Sequence, residues 1–226
     1  MKGSNELSRE QIENIIWDEF ASVPFHNLYF LLNKRPVDPS YGGTCSDKVI
    51  HLYHRLNDLG VQVSLHASFI NGEEGHRLLK VKCQGHSYFA DIGSGWPSWH
   101  LLPLDTPYEY TSFGISYKTE VGSNSLNVHF IRPEKRSWQI SIPYKSKSQE
   151  EIWYDIETRF EKDNNDVFLH SVRFSQIVED RFLFLRGDEL WIYTDNSAPT
   201  FISLKGTPLS NILLKYFKFN LGKLDR

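Results

Sequence analysis

Residues 61–95 read VQVSLHASFI NGEEGHRLLK VKCQGHSYFA DIGSG. Val61, Val63, Leu65, Ala67 and Phe69 alternate with polar residues, the period of a half-buried strand. Asn71-Gly72 is a turn signal, residues 76–83 form a second strand, Gln84-Gly85 a tight turn, and residues 86–92 a third strand. If Gln84-Gly85 is a two-residue hairpin turn, Cys83 faces His86, Leu78 faces Asp91 and His76 faces Gly93. Side chains alternate along a strand, so His76 and Asp91 share a face as diagonal neighbours within hydrogen-bond reach. Gly93 opposite His76 leaves room for the imidazole to tilt. An aspartate beside a histidine fixes the ring tautomer and raises its basicity. The alternative is a surface hairpin that happens to carry a histidine and an aspartate.

Upstream lies Tyr41-Gly42-Gly43-Thr44-Cys45, followed by Val49, Ile50, Leu52, Tyr53, Leu56 and Leu59 at three- and four-residue steps. That pattern is a helix ended by Gly60, with Thr44 as its cap and Asp47 at the capping-box position. Cys45 then sits at a helix N-terminus, where unpaired N–H groups and the helix dipole favour a thiolate. Gly42 and Gly43 let the backbone approach a substrate and can offer N–H groups to a tetrahedral oxyanion. The competing reading makes Cys45 a small buried residue and the glycines a simple turn. Cys83 shares a strand face with Leu79 and Val81 and reads as core. His51 and His54, beside Arg55 and Asp58, read as a solvated helix face, and no metal site is expected. Further upstream, Ser8 and Gln11 form a capping box ahead of Ile12, Ile15, Ile16 and Phe20, giving a helix over residues 9–21. From Val23 to Tyr41, Pro24, Pro36 and Pro39 predict mostly loop.

Downstream, strands are expected around 110–119, 125–131 and 137–142, then at 181–186 and 189–194 with a turn at Gly187-Asp188. Residues 148–160 read as helical. Thr207 caps a last helix with Pro208 at its first position and Leu209, Ile212, Leu213, Tyr216 and Phe217 on one face. The order helices, antiparallel strands, terminal helix predicts an α+β fold around a sheet able to close into a barrel. The expected division is a helical portion over 1–60 with the nucleophile, barrel strands over 61–147, and remaining strands with a C-terminal helix over 148–226. A compositional seam lies near Leu104 to Tyr108.

The chain has 226 residues, 40% hydrophobic, 23% charged and 14% aromatic, with a net charge of −3. This is an ordinary globular composition, and the absence of a basic excess argues against nucleic acid or an anionic membrane as partner. The polar N-terminus lacks a signal core and no stretch is apolar for long enough to span a bilayer, so a cytoplasmic protein is expected. Two cysteines suit a reducing compartment, and a Cys45–Cys83 disulfide is disfavoured there.

At these residues the sequence resembles the arylamine N-acetyltransferase family. Val23-Pro24-Phe25-His26-Asn27-Leu28 is similar to the family's proline-phenylalanine-x-asparagine-leucine segment, and Gly42-Gly43-Thr44-Cys45 to its glycine-glycine-x-cysteine motif. His76 opens a strand as the family histidine does. Asp91-Ile92-Gly93-Ser94-Gly95 resembles the aspartate-x-glycine-x-glycine motif, and Pro103-Leu104 the proline-leucine after it. Arg173-Phe174-Ser175, the hairpin around Gly187 and Leu209 to Leu221 resemble later parts of the family, but only the stretch from Pro24 to Gly95 is specific. The resemblance implies helices carrying the cysteine, an antiparallel barrel and a small α/β lid. It implies a Cys45–His76–Asp91 triad, a donor-binding role for Gly42, Gly43, Thr44, Gly93, Ser94 and Gly95, and ping-pong transfer from acetyl-CoA to an arylamine or hydrazine. No bound cofactor is implied.

The chain departs from the family in being shorter, with much of the helical N-terminal part missing. Tyr41 stands where an arginine is common. Ser46, Asp47, Lys48 and Val49 replace the usual aromatic, glutamate and asparagine, and Ser94 replaces a frequent phenylalanine. Two alternatives keep most of these residues. One is an amide synthase fed by a carrier protein or another thioester donor, with hydrolysis as a more distant variant. The other is a non-catalytic member that binds a ligand or partner.

Overall fold

The computed structural model describes residues 6–134, 137–161 and 166–225. The first helix, α1 (Arg9–Ser22), begins at the expected capping box: Gln11 N–H donates to Ser8 Oγ at 3.2 Å, and Ser8 N–H to Gln11 Oε1 at 2.8 Å. It buries Ile12, Ile16 and Phe20. The segment expected to be loop from Val23 to Tyr41 instead holds β1 (Phe25–His26), the single helical turn α2 (Leu28–Leu31) and a 3-10 turn over Pro39–Tyr41. Leu28 and Tyr29 are fully buried, so packing orders residues that the flanking prolines marked as irregular. Next comes α3 (Cys45–Asp58), whose Val49, Leu52 and Leu56 are fully buried.

The strands β2 (Val63–Ile70), β3 (Glu73–Cys83), β4 (His86–Ala90), β5 (Leu102–Pro103), β6 (Glu109–Ser112), β7 (Ile115–Val121), β8 (Ser125–Ile131) and β9 (Ser137–Pro143) form one antiparallel sheet in the order β5-β4-β3-β2-β9-β8-β7-β6. The sheet curls into a half-barrel with β5 and β6 as its two ends. The seam at Leu104 to Tyr108 is the crossing from one end to the other; the halves are joined where Phe69 pairs with Ser141 and Ile70 with Ile140. The strand expected over 110–119 is two strands, turning at Phe113-Gly114 with φ of 53° and 72°. A phenylalanine is an unusual occupant of such a turn, which hides it from composition rules. Three buried layers meet in one core: Ile12 and Ile16 of α1, Leu52 and Leu56 of α3, and the sheet face with Leu79, Val81 and Ala90.

After β9, α4 (Gln149–Glu157) lies on β2 with Ile152 and Ile156 buried, and a 3-10 turn over Arg159–Glu161 ends the region expected to be helical. The short α5 (Asp166–Leu169) follows. A second antiparallel sheet has the order β1-β10-β11-β12-β13, built from β10 (Arg173–Val178), β11 (Arg181–Arg186), β12 (Glu189–Thr194) and β13 (Ser197–Ser203). Two of these strands match expectation, and β10 and β13 are additions. The edge strand β13 is mostly exposed and contains Pro199, a residue that disguises an edge strand as loop. The last helix, α6 (Leu209–Phe217), covers this sheet through Ile212, Leu213 and Phe217. Pro208, with ψ of 136°, is its cap and not its first helical residue, so the expected cap Thr207 lies one position outside. Among the described residues, no helix is long and apolar enough to cross a membrane.

Candidate active site

The hairpin register is the one the two-residue turn dictates. Cys83 pairs with His86 and Leu79 with Ala90, so Asp91 follows directly on β4. β3 begins at Glu73, earlier than expected, and His76 lies within it, paired with Ser68. His76 Nε2 and Asp91 Oδ1 are 2.8 Å apart, both side chains fully buried. The same Asp91 oxygen accepts from the Gly93 and Ser94 N–H groups, each at 3.1 Å. The aspartate is thus held by its own turn while it orients the imidazole.

Cys45 is the first residue of α3 and is buried, with Sγ 3.6 Å from the Gly75 carbonyl. Burial pushes its thiol up, but the hydrogen bond and positive charge of His76, with the Arg77 backbone N–H and guanidinium, outweigh that and hold it below the ordinary value. Burial pulls His76 down, but the charge and hydrogen bond of Asp91, reinforced by Cys45, raise it to about 10. The two shifts have one meaning. Thiolate and imidazolium stabilise each other, so each favours the charged form of its partner. The pairing thus favours the form of the thiol that acts as a nucleophile.

A Cβ on Gly93 would lie 2.6 Å from the Cys45 Cβ and 2.9 Å from the Arg77 carbonyl, so the nearest group its missing side chain makes room for is Cys45. Gly95, at φ 77°, packs under the Phe25 ring, and its carbonyl accepts from Ser175 Oγ at 2.8 Å.

The segment ahead of Cys45 is built from the protein's own contacts. Gly42 N–H donates to Pro39, Gly43 N–H to Pro24, and Thr44 N–H to Asp47 Oδ2 at 2.9 Å. These donors are committed, so Gly42 and Gly43 do not offer the N–H groups expected for an oxyanion, and Gly42, Gly43 and Thr44 are not among the residues lining the cleft described below. The glycines answer a backbone demand: a Cβ on Gly42 would lie 2.0 Å from the Pro24 carbonyl oxygen, and one on Gly43 2.3 Å from the Asp47 carboxylate. Asp47 is buried and ion-paired with Arg159. His26 clamps the same loop. Its Nδ1 accepts from Leu28 N–H at 3.2 Å, which leaves the proton on Nε2 to donate to the Tyr41 carbonyl at 3.0 Å. Burial drives its pKa down to about 4, so the ring is neutral.

His51 is not on a solvated face: its Nδ1 contacts the buried Glu19 carboxylate, which Arg55 also meets at 3.2 Å. Lys48 is wholly buried, reaching the Val23 carbonyl at the end of α1, and burial lowers it to about 8.

Cys45, His76, Gly93, Ser94 and Gly95 open onto one cleft of about 1260 Å³. Its walls include Phe25, Arg77, Trp96, Phe184, Arg173 and Arg186. The sequence reading did not single out Arg77, whose backbone N–H serves the thiol, nor Trp96, whose signal was only its place after the Gly93-Ser94-Gly95 turn.

A thiol at a helix N-terminus thus lies beside a buried histidine–aspartate pair, in a cleft between an antiparallel half-barrel and a smaller sheet. The N-acetyltransferase family pattern matches residues 10–225, and the chain belongs to that family. It is an N-acetyltransferase-like acyltransferase. No curated protein matches the chain in sequence. Solved structures share its fold. The arylamine N-acetyltransferase of Mycobacterium smegmatis superposes with a TM-score of 0.80 at 17% identity, over 99% of this chain and 90% of that one. The Mycobacterium marinum enzyme in complex with CoA gives 0.81 at 16%, over 96% and 89%. A Bacillus cereus arylamine N-acetyltransferase with a Cys-His-Glu catalytic triad gives 0.75 at 17%, over 96% and 93%.

Proposed function

We propose that the protein transfers an acetyl group from acetyl-CoA to an arylamine or hydrazine by ping-pong chemistry through a Cys45 thioester. The observation that carries this reading is that Cys45 and His76 open onto one cleft, with His76 hydrogen-bonded to the buried Asp91 and its charge favouring the Cys45 thiolate. The Cys45 thiolate adds to the thioester carbonyl. As the tetrahedral adduct collapses, the bond to the CoA sulfur breaks, and that sulfur leaves with the proton of the His76 imidazolium. The amine nitrogen then attacks the acetyl-Cys45 carbonyl, and its proton passes to His76. The carbon–sulfur bond to Cys45 breaks, restoring thiolate and imidazolium. Asp91 holds the ring and stabilises its charged form throughout. Gly93, Ser94 and Gly95 form the rim against which the donor lies. The two free cysteines suit the reducing cytoplasm, where acetyl-CoA is available.

Intact-protein mass after brief incubation with acetyl-CoA tests the reading. One acetyl adduct on the wild type and none on Cys45→Ala is expected. An unmodified wild type whose Cys45 still alkylates readily would sink acetyl-CoA as donor.

A further inference from the structure

We propose that Arg173 and Arg186 form an anion subsite that recognises a negatively charged group on a substrate, either the phosphates of a CoA donor or a carboxylate on the acceptor. The inference rests on the acyl-transfer reading above for what enters the cleft, but not for the subsite itself.

The second sheet presents its cleft face in ordered rows. In one row Phe25 pairs with Ser175, Ser175 with Phe184, and Phe184 with Trp191. This row lies against the catalytic loop: Ser175 Oγ bonds the Gly95 carbonyl at 2.8 Å, and the Phe184 ring stacks on Trp96 at 4.7 Å. Two residues further along the same face, about 7 Å away by strand geometry, Arg173 pairs directly with Arg186. Both line the cleft. The wall therefore runs from an apolar span beside Cys45 to a doubly cationic row.

Like charges directly opposite each other in a sheet are destabilising. Among the described residues neither guanidinium has an ion-pair partner, although Glu189 pairs with Arg186 across the next strand. Arg173 lies over the Phe168 ring at 5.8 Å, and its Nε is buried without an acceptor. Burial and the charge of Arg186 both push the Arg173 pKa down, the direction of an unrelieved cation. Two planar guanidinium forks facing one cleft suit a phosphate or carboxylate, which each can grip with two hydrogen bonds.

The test is binding to the intact protein, read without turnover in the wild type, Arg173→Met and Arg186→Met. One arm compares CoA with pantetheine, which lacks the phosphates; the other compares 4-aminobenzoate with aniline. Each variant is expected to keep or raise the melting temperature of the free protein, because a repulsive pair is removed. Each should weaken one charged ligand by about tenfold or more while leaving its uncharged counterpart unchanged. Loss confined to CoA assigns the subsite to the donor, and loss confined to 4-aminobenzoate assigns it to the acceptor. Variants that weaken neither charged ligand, or that weaken charged and uncharged ligands alike, overturn the proposal. Failure of the Cys45 acetylation experiment would overturn the acyl-transfer reading and leave this binding result standing on its own.

Discussion

The site has two halves assembled in opposite ways. His76 and Asp91 stand 15 residues apart and meet because a two-residue turn folds their strands together. Asn27 and Arg173 are 146 residues apart, and they meet only when the first helices have closed onto the second sheet. There the Asn27 amide donates to the Phe168 and Ser171 carbonyls at 2.7 and 2.8 Å, while its oxygen accepts from Arg173 N–H at 2.7 Å. The hairpin half carries the histidine–aspartate pair and is fixed by local register. The distant half shapes the cleft wall and depends on long-range closure. Damage to the first should therefore appear in reactivity, and damage to the second in stability and ligand binding.

The hairpin half breaks most severely at Asp91. Asp91→Asn keeps the shape of the carboxylate but cannot hold an imidazolium, so His76 falls from its raised value and the thiolate loses its partner. Acetylation of Cys45 should slow by about 10³-fold or more. The pH at which Cys45 becomes alkylated should rise toward that of a free thiol. In the wild type, the alkylation midpoint should lie below that of a free thiol. An unchanged alkylation profile in Asp91→Asn would show that the hairpin does not set the nucleophile's charge.

The distant half breaks at Asn27 and His26. Asn27→Ala removes the side-chain partner of three part-buried backbone groups and should cost about 3 kcal/mol, measured as a lower denaturant midpoint with an unchanged slope. Cys45 alkylation in the remaining folded protein should be normal. His26 contributes through pH. Its folded value, about 4, lies below the ordinary 6.5, so only the unfolded chain takes up a proton between them. Stability should fall as the pH drops through that window, by about 3 kcal/mol in all, and His26→Gln should flatten the slope. A slope that persists in His26→Gln would move the titration to another group.

Much of the first half was legible and little of the second, for physical reasons. Strict alternation at Val61 to Phe69 and a two-residue turn at Gln84-Gly85 leave few registers open, so the contact between His76 and Asp91 follows from counting. The start of α3 was legible for the same reason: a capping box spans only four residues. Phe25 and Arg173 offer no such arithmetic. The wall that holds them exists because β1, two residues long, pairs with β10, and neither strand has a hydrophobic period that marks it. Gly42 and Gly43 illustrate a partial reading. Their freedom from side chains was correctly taken as a close approach, but the approaching groups are the Pro24 carbonyl and Asp47, not a substrate.

Gly93 is where the two readings of a glycine can be separated. Gly93→Ala places a methyl group against Cys45 and the Arg77 carbonyl, so the thiol must move. A displacement of about 1 Å costs about 10²-fold in rate, and acetylation of Cys45 should fall by that order. The His76–Asp91 hydrogen bond should survive, because the atoms nearest the new Cβ belong to Cys45 and Arg77. If the room had been needed by the imidazole, the same substitution would shift the pH profile of alkylation as Asp91→Asn does; a slower reaction at an unshifted midpoint assigns the space to the nucleophile.

Thr44 gives the smallest effect and the sharpest test of what the residues before Cys45 do. Its N–H and hydroxyl both donate to Asp47 Oδ2, at 2.9 and 3.2 Å, and Asp47 is in turn paired with Arg159. Thr44→Val keeps the volume and the backbone donor and removes only the hydroxyl, a change of about 1 kcal/mol at a helix cap. If Thr44 held the donor, affinity for CoA would fall in proportion while the free protein kept its stability. With the hydroxyl committed to Asp47, the melting temperature should drop and CoA affinity should not, which places the segment from Gly42 to Thr44 in the scaffold that aims Cys45.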